Sequence, residues 1–265
     1  MKLLFVGDIV GNPGRRAVND MLSALRSRLD VSFVIANGEN AAGGFGITKP
    51  VAKAIFDAGA DVITMGNHTW SKRDSWDYID EERRILRPAN YGPGTPGRGY
   101  GTFKTQDGHS VSVINLMGRT FMAPLDCPFR TADTILTELG ENAGMVIADM
   151  HAEATSEKAA LGYYLDGRVS AIVGTHTHVQ TSDERVLPGG SAYITDAGMT
   201  GIVESVLGLD AQEAIRRFLT QMPGKIKPAE GEPALQGILI DVDPVTSHAT
   251  SIRRINVRSA EEFEF

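Results

Sequence analysis

The sequence predicts an α/β fold with two central mixed β-sheets flanked by helices. Two observations carry that prediction. Short apolar runs alternate with segments whose apolar residues recur at helical spacing, which is the pattern of βαβ units on a parallel sheet. Two later pairs of runs are joined by short turns, which adds antiparallel strands to the parallel ones.

The elements follow in order. Residues 3–6 form a buried-strand candidate, and Val18, Met21, Leu22, Leu25 and Leu29 then mark one face of a helix. Residues 33–36 form the next strand. Pro50 stands where a first helical turn begins, with Val51, Ala54, Ile55 and Ala58 behind it at helical spacing. Residues 62–65 are the third strand. Residues 88–101 are rich in Gly and Pro and read as a loop. Residues 98–106 and 110–116 flank Asp107-Gly108-His109, a hairpin signal. Residues 117–130 look irregular. Alternation then resumes, with strands at 145–148, 169–173 and 192–195 and helices at 157–164 and 211–219. Residues 236–242 and 248–257 are two closing strands, turned by Asp243-Pro244-Val245-Thr246, and they are expected to pair antiparallel. No repeat or linker divides the chain, so residues 1–265 are expected to form one domain.

Composition narrows the function. The chain has 265 residues, 42% hydrophobic and 22% charged, which suits a globular protein and excludes wholesale disorder. Cys127 is the one cysteine, so an intrachain disulfide and a cysteine-based zinc site are both excluded. The formal net charge is −7, a poor balance for non-specific nucleic-acid binding, which depends on neutralising phosphates. The start, MKLLFVGDIVG, reaches an acidic residue before an apolar signal core can form, and no apolar run approaches the ~18 residues of a membrane span. A cytoplasmic protein is expected.

Five predicted strand ends carry side chains of one chemical kind. Asp8 follows the first strand, Glu39 and Asn40 the second, and Asn67 and His68 the third. His151 follows the strand at 145–148, and His176 and His178 follow the strand at 169–173. Ligands of open α/β sheets bind outside the carboxyl ends of the strands, so these residues can converge on one crevice. Carboxylate, amide oxygen and imidazole without thiolate suit iron, manganese or zinc rather than a calcium cage. So many candidates make two ions sharing one carboxylate plausible, an arrangement that clamps a phosphoryl group. His176 and His178 stand two apart just past a strand, where a turn can splay them onto neighbouring ions. Taken singly, Asp8 serves equally well as a cap, and Glu39-Asn40 or Asn67-His68 as turns. The joint pattern is what points to a metal site. His109 and His248 read as solvated, Cys127 as structural or exposed, and Glu81-Glu82-Arg83-Arg84 as a solvated helix end.

Gly7-Asp8, Gly66-Asn67-His68 and Gly174-Thr175-His176-Thr177-His178 resemble the motifs of the calcineurin-like metallophosphoesterases. The likeness is closer to one branch, the YmdB-like phosphodiesterases. It rests on MKLLFVGDIVGNPGR, on Asn37 to Thr48 (NGENAAGGFGIT), on Met65 to Trp70, on Asn115 to Arg119 and on Asp149 to Glu153. It covers nearly the whole chain. The wider superfamily has a histidine two residues after its first aspartate, where this chain has Val10; Asn40 can supply an oxygen in its place.

The resemblance implies a calcineurin-like metallophosphoesterase sandwich. It also implies two metal ions, iron first, manganese next and zinc last. One ion would take Asp8, Glu39, Asn40 and His178, the other Glu39, Asn67, His151 and His176, with Glu39 bridging. A water or hydroxide between them would attack phosphorus, and His68 would protonate the leaving alkoxide. Implied substrates are 2′,3′- and 3′,5′-cyclic nucleotides or other small phosphodiesters. Expected partners are such a substrate and further copies of the chain, with no stable nucleic acid and no membrane. Two alternatives stay open: a phosphomonoesterase or protein phosphatase on the same site, and a non-enzymatic metal-containing regulatory protein, against which the presence of His68 speaks. Arg119 and Thr120 are weaker candidates for substrate contact.

Overall fold

A computed structural model describes residues 1–223 and 228–259 of the chain. The strands are β1 (Lys2–Val6), β2 (Asp8–Ile9), β3 (Phe33–Asn37), β4 (Val62–Thr64), β5 (Ile85–Leu86), β6 (Tyr100–Lys104), β7 (Ser110–Met117), β8 (Met145–His151), β9 (Ala171–Thr175), β10 (Arg185–Val186), β11 (Ala192–Ile194), β12 (Met199–Thr200), β13 (Leu235–Val242) and β14 (Ala249–Val257). The helices are α1 (Gly11–Arg28), α2 (Lys49–Asp57), α3 (Trp76–Glu81), α4 (Pro128–Leu139), α5 (Thr155–Leu165) and α6 (Ala211–Thr220).

Two six-stranded sheets result, in the orders β14-β13-β1-β3-β4-β5 and β10-β11-β9-β8-β7-β6. β1-β3-β4-β5 and β11-β9-β8-β7 run parallel, while β14-β13-β1 at one side of the first sheet and β10-β11 and β6-β7 at the two edges of the second pair antiparallel. The short β2 and β12 pair parallel beside them. The sheets are therefore mixed, as the turns at 107–109 and 243–246 predict.

Side-chain alternation explains why the central strands read as unbroken apolar runs. Successive residues of a strand point to opposite faces, and here both faces are covered. Leu3, Phe5, Phe33 and Ile35 of the first sheet meet Val111, Val113, Met145, Ile147, Ala171 and Val173 of the second in the inter-sheet core. Their neighbours Leu4, Val6, Val34 and Ala36 face outward and bury Val18, Met21, Leu22 and Leu25 of α1. On the far side Ile114, Leu116, Val146, Ala148 and Ile172 pack with Ala132 and Ile135 of α4 and Leu161 and Leu165 of α5. Each such Leu, Phe or Ile side chain contributes ~1.5–3 kcal/mol by leaving water.

Two expectations need correction. Residues 128–139 are helical, although the sequence reading runs the irregular segment to 130 and assigns no element until 145. Pro128 begins α4, where its missing N–H costs nothing, and Ala132 and Ile135 are its buried stripe. In addition, β8 runs three residues beyond its predicted end, so His151 is the last residue of a strand rather than part of the loop after it. No helix among the described residues is long and apolar enough to cross a membrane.

Tight backbone crossings lie next to the first sequence motif. Gly7 precedes Asp8, whose amide donates to the Gly198 carbonyl at 3.0 Å. A Cβ on Gly7 would stand against that same carbonyl, well inside contact distance. Backbone cannot rotate aside as a side chain can. Gly7→Ala is therefore expected to lower stability by about 1–3 kcal/mol, read as a lower urea midpoint at unchanged slope. An unchanged midpoint would show that the crossing yields freely.

Candidate metal centre

The two sheets deliver their strand ends to one cleft. Asp8 opens β2, one residue past the end of β1, Glu39 and Asn40 lie after β3, Asn67 and His68 after β4, His151 at the end of β8, and His176 and His178 just after β9. Seven of the eight predicted residues fall into two adjoining sets, and the eighth, His68, lines the cleft beside them.

The tighter set surrounds His151. Its Nε2 is 3.0 Å from Asn67 Oδ1, 3.1 Å from His176 Nδ1 and 3.3 Å from Glu39 Oε1. One nitrogen cannot make three hydrogen bonds through one proton. Such spacings are instead those of ligand atoms around one ion: with metal–ligand bonds of ~2.1 Å, neighbouring ligands lie roughly 3.0–3.4 Å apart. Glu39, His151 and His176 also form a group of ligand-type side chains whose donor atoms all lie within 4.8 Å of one another.

The looser set joins Asp8, Asn40 and His178. His178 Nε2 is 3.3 Å from Asn40 Oδ1 and 3.9 Å from Asp8 Oδ1. The Asn40 amide nitrogen donates to the Gly44 carbonyl at 2.9 Å, which turns its oxygen toward the cleft. Asp8 is completely buried, yet its Oδ1 has no hydrogen-bond partner. A buried carboxylate oxygen left unpaired is costly, and a cation between Asp8 and His178 would remove that cost.

The outer nitrogen of each imidazole is held. His151 Nδ1 is 2.9 Å from the Thr175 hydroxyl, which itself donates to Asp149 at 2.7 Å. His176 Nε2 is 3.2 Å from Glu153, and His178 Nδ1 is 3.4 Å from the Leu207 carbonyl. Anchoring one ring nitrogen to an acceptor turns the lone pair of the other toward a metal. His176 and His178 have positive φ, 96° and 63°, and this is how residues two apart reach different sets. Thr177 between them gives its amide and hydroxyl to Asp196 Oδ2 at 3.1 and 2.7 Å, and Asp196 pairs with buried Lys158 at 2.8 Å. The pair clamps the His-Thr-His turn from behind. Gly66 completes the cradle: a Cβ there would overlap both His151 Nε2 and Glu39 Oε2.

Electrostatics agree with a cation site. Burial raises Asp8 well above the usual carboxylate range; His151 opposes this, while Asp196, Glu39 and Asp149 reinforce it. Burial also raises Glu39, but the charge and hydrogen bond of His151 and the His68 amide, 3.0 Å away, outweigh it and hold the carboxyl at about 2. For His151, burial favours the neutral ring, but Glu39, Asp8 and Asp149 overcome it and lift the ring to about 9. Burial and the neighbouring His151 push His176 down to about 3. Without metal, then, the proton held by His151 stands in for a cation.

His68 lines the same cleft as Glu39, Asn40, His176 and His178 without joining either set. Its ring packs edge-on to Phe45, centroids 4.9 Å apart, and its Nδ1 is 3.3 Å from the Ser71 hydroxyl. Sequence reasoning assigns no role to Thr175, Glu153, Lys158 or Asp196. Asp196 had a signal, since it follows the predicted strand at 192–195 as Asp8 follows the first. Lys158 had none, because a lysine inside a helix reads as solvent-facing.

This two-sheet α/β architecture is the metallophosphoesterase fold. The chain belongs to the YmdB-like family, whose model, described as "YmdB-like protein", matches residues 4–255. It is 49% identical over 263 residues to a Bacillus subtilis (strain 168) protein named 2′,3′-cyclic-nucleotide 2′-phosphodiesterase, covering 99% of each chain. A crystal structure of a hypothetical protein from Thermus thermophilus superposes with a TM-score of 0.91 at 41% identity, covering 98% of this chain and 100% of that one. A Mycoplasma pneumoniae protein described as a novel phosphatase does so with a TM-score of 0.91 at 32% identity, over 97% and 93%.

Two outcomes are expected. A metal held by His151 Nε2 must displace a proton that leaves only near pH 9. The affinity of chelator-stripped protein for Mn²⁺ should therefore rise by about tenfold per pH unit from about pH 6 to 8 and level off above about 9. His176, at about 3, is already neutral there and adds no slope. A flat profile in a competition assay would count against His151 as a ligand. Asp196→Ala strands Lys158 in the interior and should cost about 3–5 kcal/mol in urea unfolding. Lys158→Met should cost less, because Asp196 keeps the Thr177 and Gly198 donors.

Proposed function

We propose that this chain is a metal-dependent phosphodiesterase that hydrolyses 2′,3′- and 3′,5′-cyclic nucleotides. The observation that carries the reading is the convergence of two imidazole–carboxylate–amide sets at one cleft, with a further histidine beside them. In this reading Asp8, Asn40 and His178 would hold one ion, Asn67, His151 and His176 would hold a second, and Glu39 would be shared between them. Iron is the proposed metal, with manganese next and zinc last, on the strength of the family resemblance; the donors, oxygen and imidazole without thiolate, suit all three. A bound metal pair supplies hydroxide near neutral pH and positive charge for the phosphoryl oxygens.

The chain's own residues do the rest. The held imidazoles and the fixed Asn40 amide keep the donors in place before substrate arrives, so little reorganisation is left for the reaction. Phe45 and Ser71 set the plane of the His68 ring at the cleft wall. There the ring is the proposed proton donor to the departing sugar oxygen, a poor leaving group as an alkoxide. Such acid catalysis contributes ~10²–10⁴-fold. The 2′,3′-cyclic-nucleotide reading draws on the name of the Bacillus relative, and the 3′,5′ part on the family resemblance alone. The single-domain reading draws on the core shared by Leu3, Phe5, Val111 and Val113 of the two sheets.

A panel of 2′,3′-cyclic AMP, 3′,5′-cyclic AMP, bis-p-nitrophenyl phosphate and p-nitrophenyl phosphate under one metal condition tests the substrate class. Turnover of the monoester alone would replace the diesterase reading with a phosphomonoesterase. His68→Gln should lower kcat on the cyclic nucleotide about 10²–10⁴-fold at unchanged metal content. It should act far less on bis-p-nitrophenyl phosphate, whose leaving group needs no acid. Equal losses on both would remove the acid role. Asp8→Ala should instead lower metal occupancy.

A further inference from the structure

We infer that the cleft beside the proposed metal centre ends in a nucleobase subsite, built around a two-residue turn at Leu207 and Gly208. The inference rests on the phosphodiesterase reading and names the part of the substrate that the metal sets leave unexplained.

The cleft has a volume of about 370 Å³, within the range of small-molecule sites. It is more than a phosphate needs. Glu39, Asn40, His68, His176 and His178 give it a polar lining, and Val10, Pro13, Ile202, Leu207 and Leu209 an aliphatic one. A phosphodiester held by the polar residues leaves its flat, largely uncharged base as the group that matches the aliphatic lining.

The turn that presents Leu207 is unusual. Val206 and Leu209 exchange backbone hydrogen bonds, each 3.0 Å, so Leu207 and Gly208 form a two-residue loop. Both have positive φ, 54° and 88°. Glycine or asparagine is the ordinary occupant of such positions, and leucine is disfavoured there. Gly208 packs closely under the loop, where a Cβ would crowd Val10. Leu207 stays 48% exposed, so burial does not explain an aliphatic side chain in this conformation. Strain kept without a packing return points to function. The Leu207 carbonyl also faces His178 Nδ1 at 3.4 Å, which ties the turn to the proposed metal centre. One residue thus presents its carbonyl to a proposed ligand and lines the cleft beside it.

The test is equilibrium binding to metal-loaded protein by titration calorimetry, with adenosine 3′-monophosphate and the 3-phosphate of methyl riboside as probes. The two differ only in the base. The nucleotide is expected to bind at least tenfold more tightly. Leu207→Asn keeps a residue that tolerates positive φ and keeps the carbonyl, and should reduce the ratio severalfold; Leu209→Ser should do the same without touching the turn tip. A ratio near one in the unaltered protein, or a ratio that neither variant changes, would overturn the subsite. Loss of the phosphodiesterase reading would show separately, as no hydrolysis of bis-p-nitrophenyl phosphate by the unaltered protein, while the binding ratio would still report on the base.

Discussion

Buried negative charge is the constraint on which the site depends. Asp8, Glu39, Asp149 and Asp196 are all at most 1% exposed, and Lys158 is the lysine buried among them. Burying carboxylates costs far more than a folded domain can spare unless each is paired. Asp196 takes Lys158, and Asp149 takes the Thr175 hydroxyl and the Asn37 amide. Glu39 shares the His151 proton and accepts the His68 amide. Asp8 keeps one oxygen with nothing to bind. The deficit is positive charge, and it lies where imidazole and amide donors converge.

The sandwich makes such a concentration of acids possible. Each central strand buries aliphatic side chains on both faces, so the middle of the molecule is held without help from the rim. The strand ends are then free to carry residues that oppose stability. Backbone crossings at Gly7 and Gly198 and the cradle at Gly66 bring those ends closer than side chains would allow. The donors can therefore be spaced by the sheets rather than by the loops.

Support comes in layers behind the cleft. Lys158 of α5 acts through Asp196 on Thr177, and so on the two histidines beside it. Asp149 acts through Thr175 on His151. The Leu207 carbonyl acts on His178 from a separate turn. Each imidazole thus has its own acceptor, in Thr175, Glu153 and the Leu207 carbonyl.

The amino-acid sequence by itself determined the strand runs, most of the helices, and which residue types stand at the strand ends. These depend on local periodicity and local chemistry, so Asp8, Glu39, Asn40, Asn67, His68, His151, His176 and His178 were all legible as candidates. Helix α4 was legible in principle through Pro128, Ala132 and Ile135, but a polar, proline-rich approach masked it. The two-residue strands β2, β5, β10 and β12 are too short to have a period. Only the tertiary structure decided which candidates share a set, because that follows from sheet order and from the left-handed backbone at His176 and His178. It alone decided that Lys158 is buried and that Leu207 faces the cleft, since burial and direction belong to contacts between segments far apart in the chain.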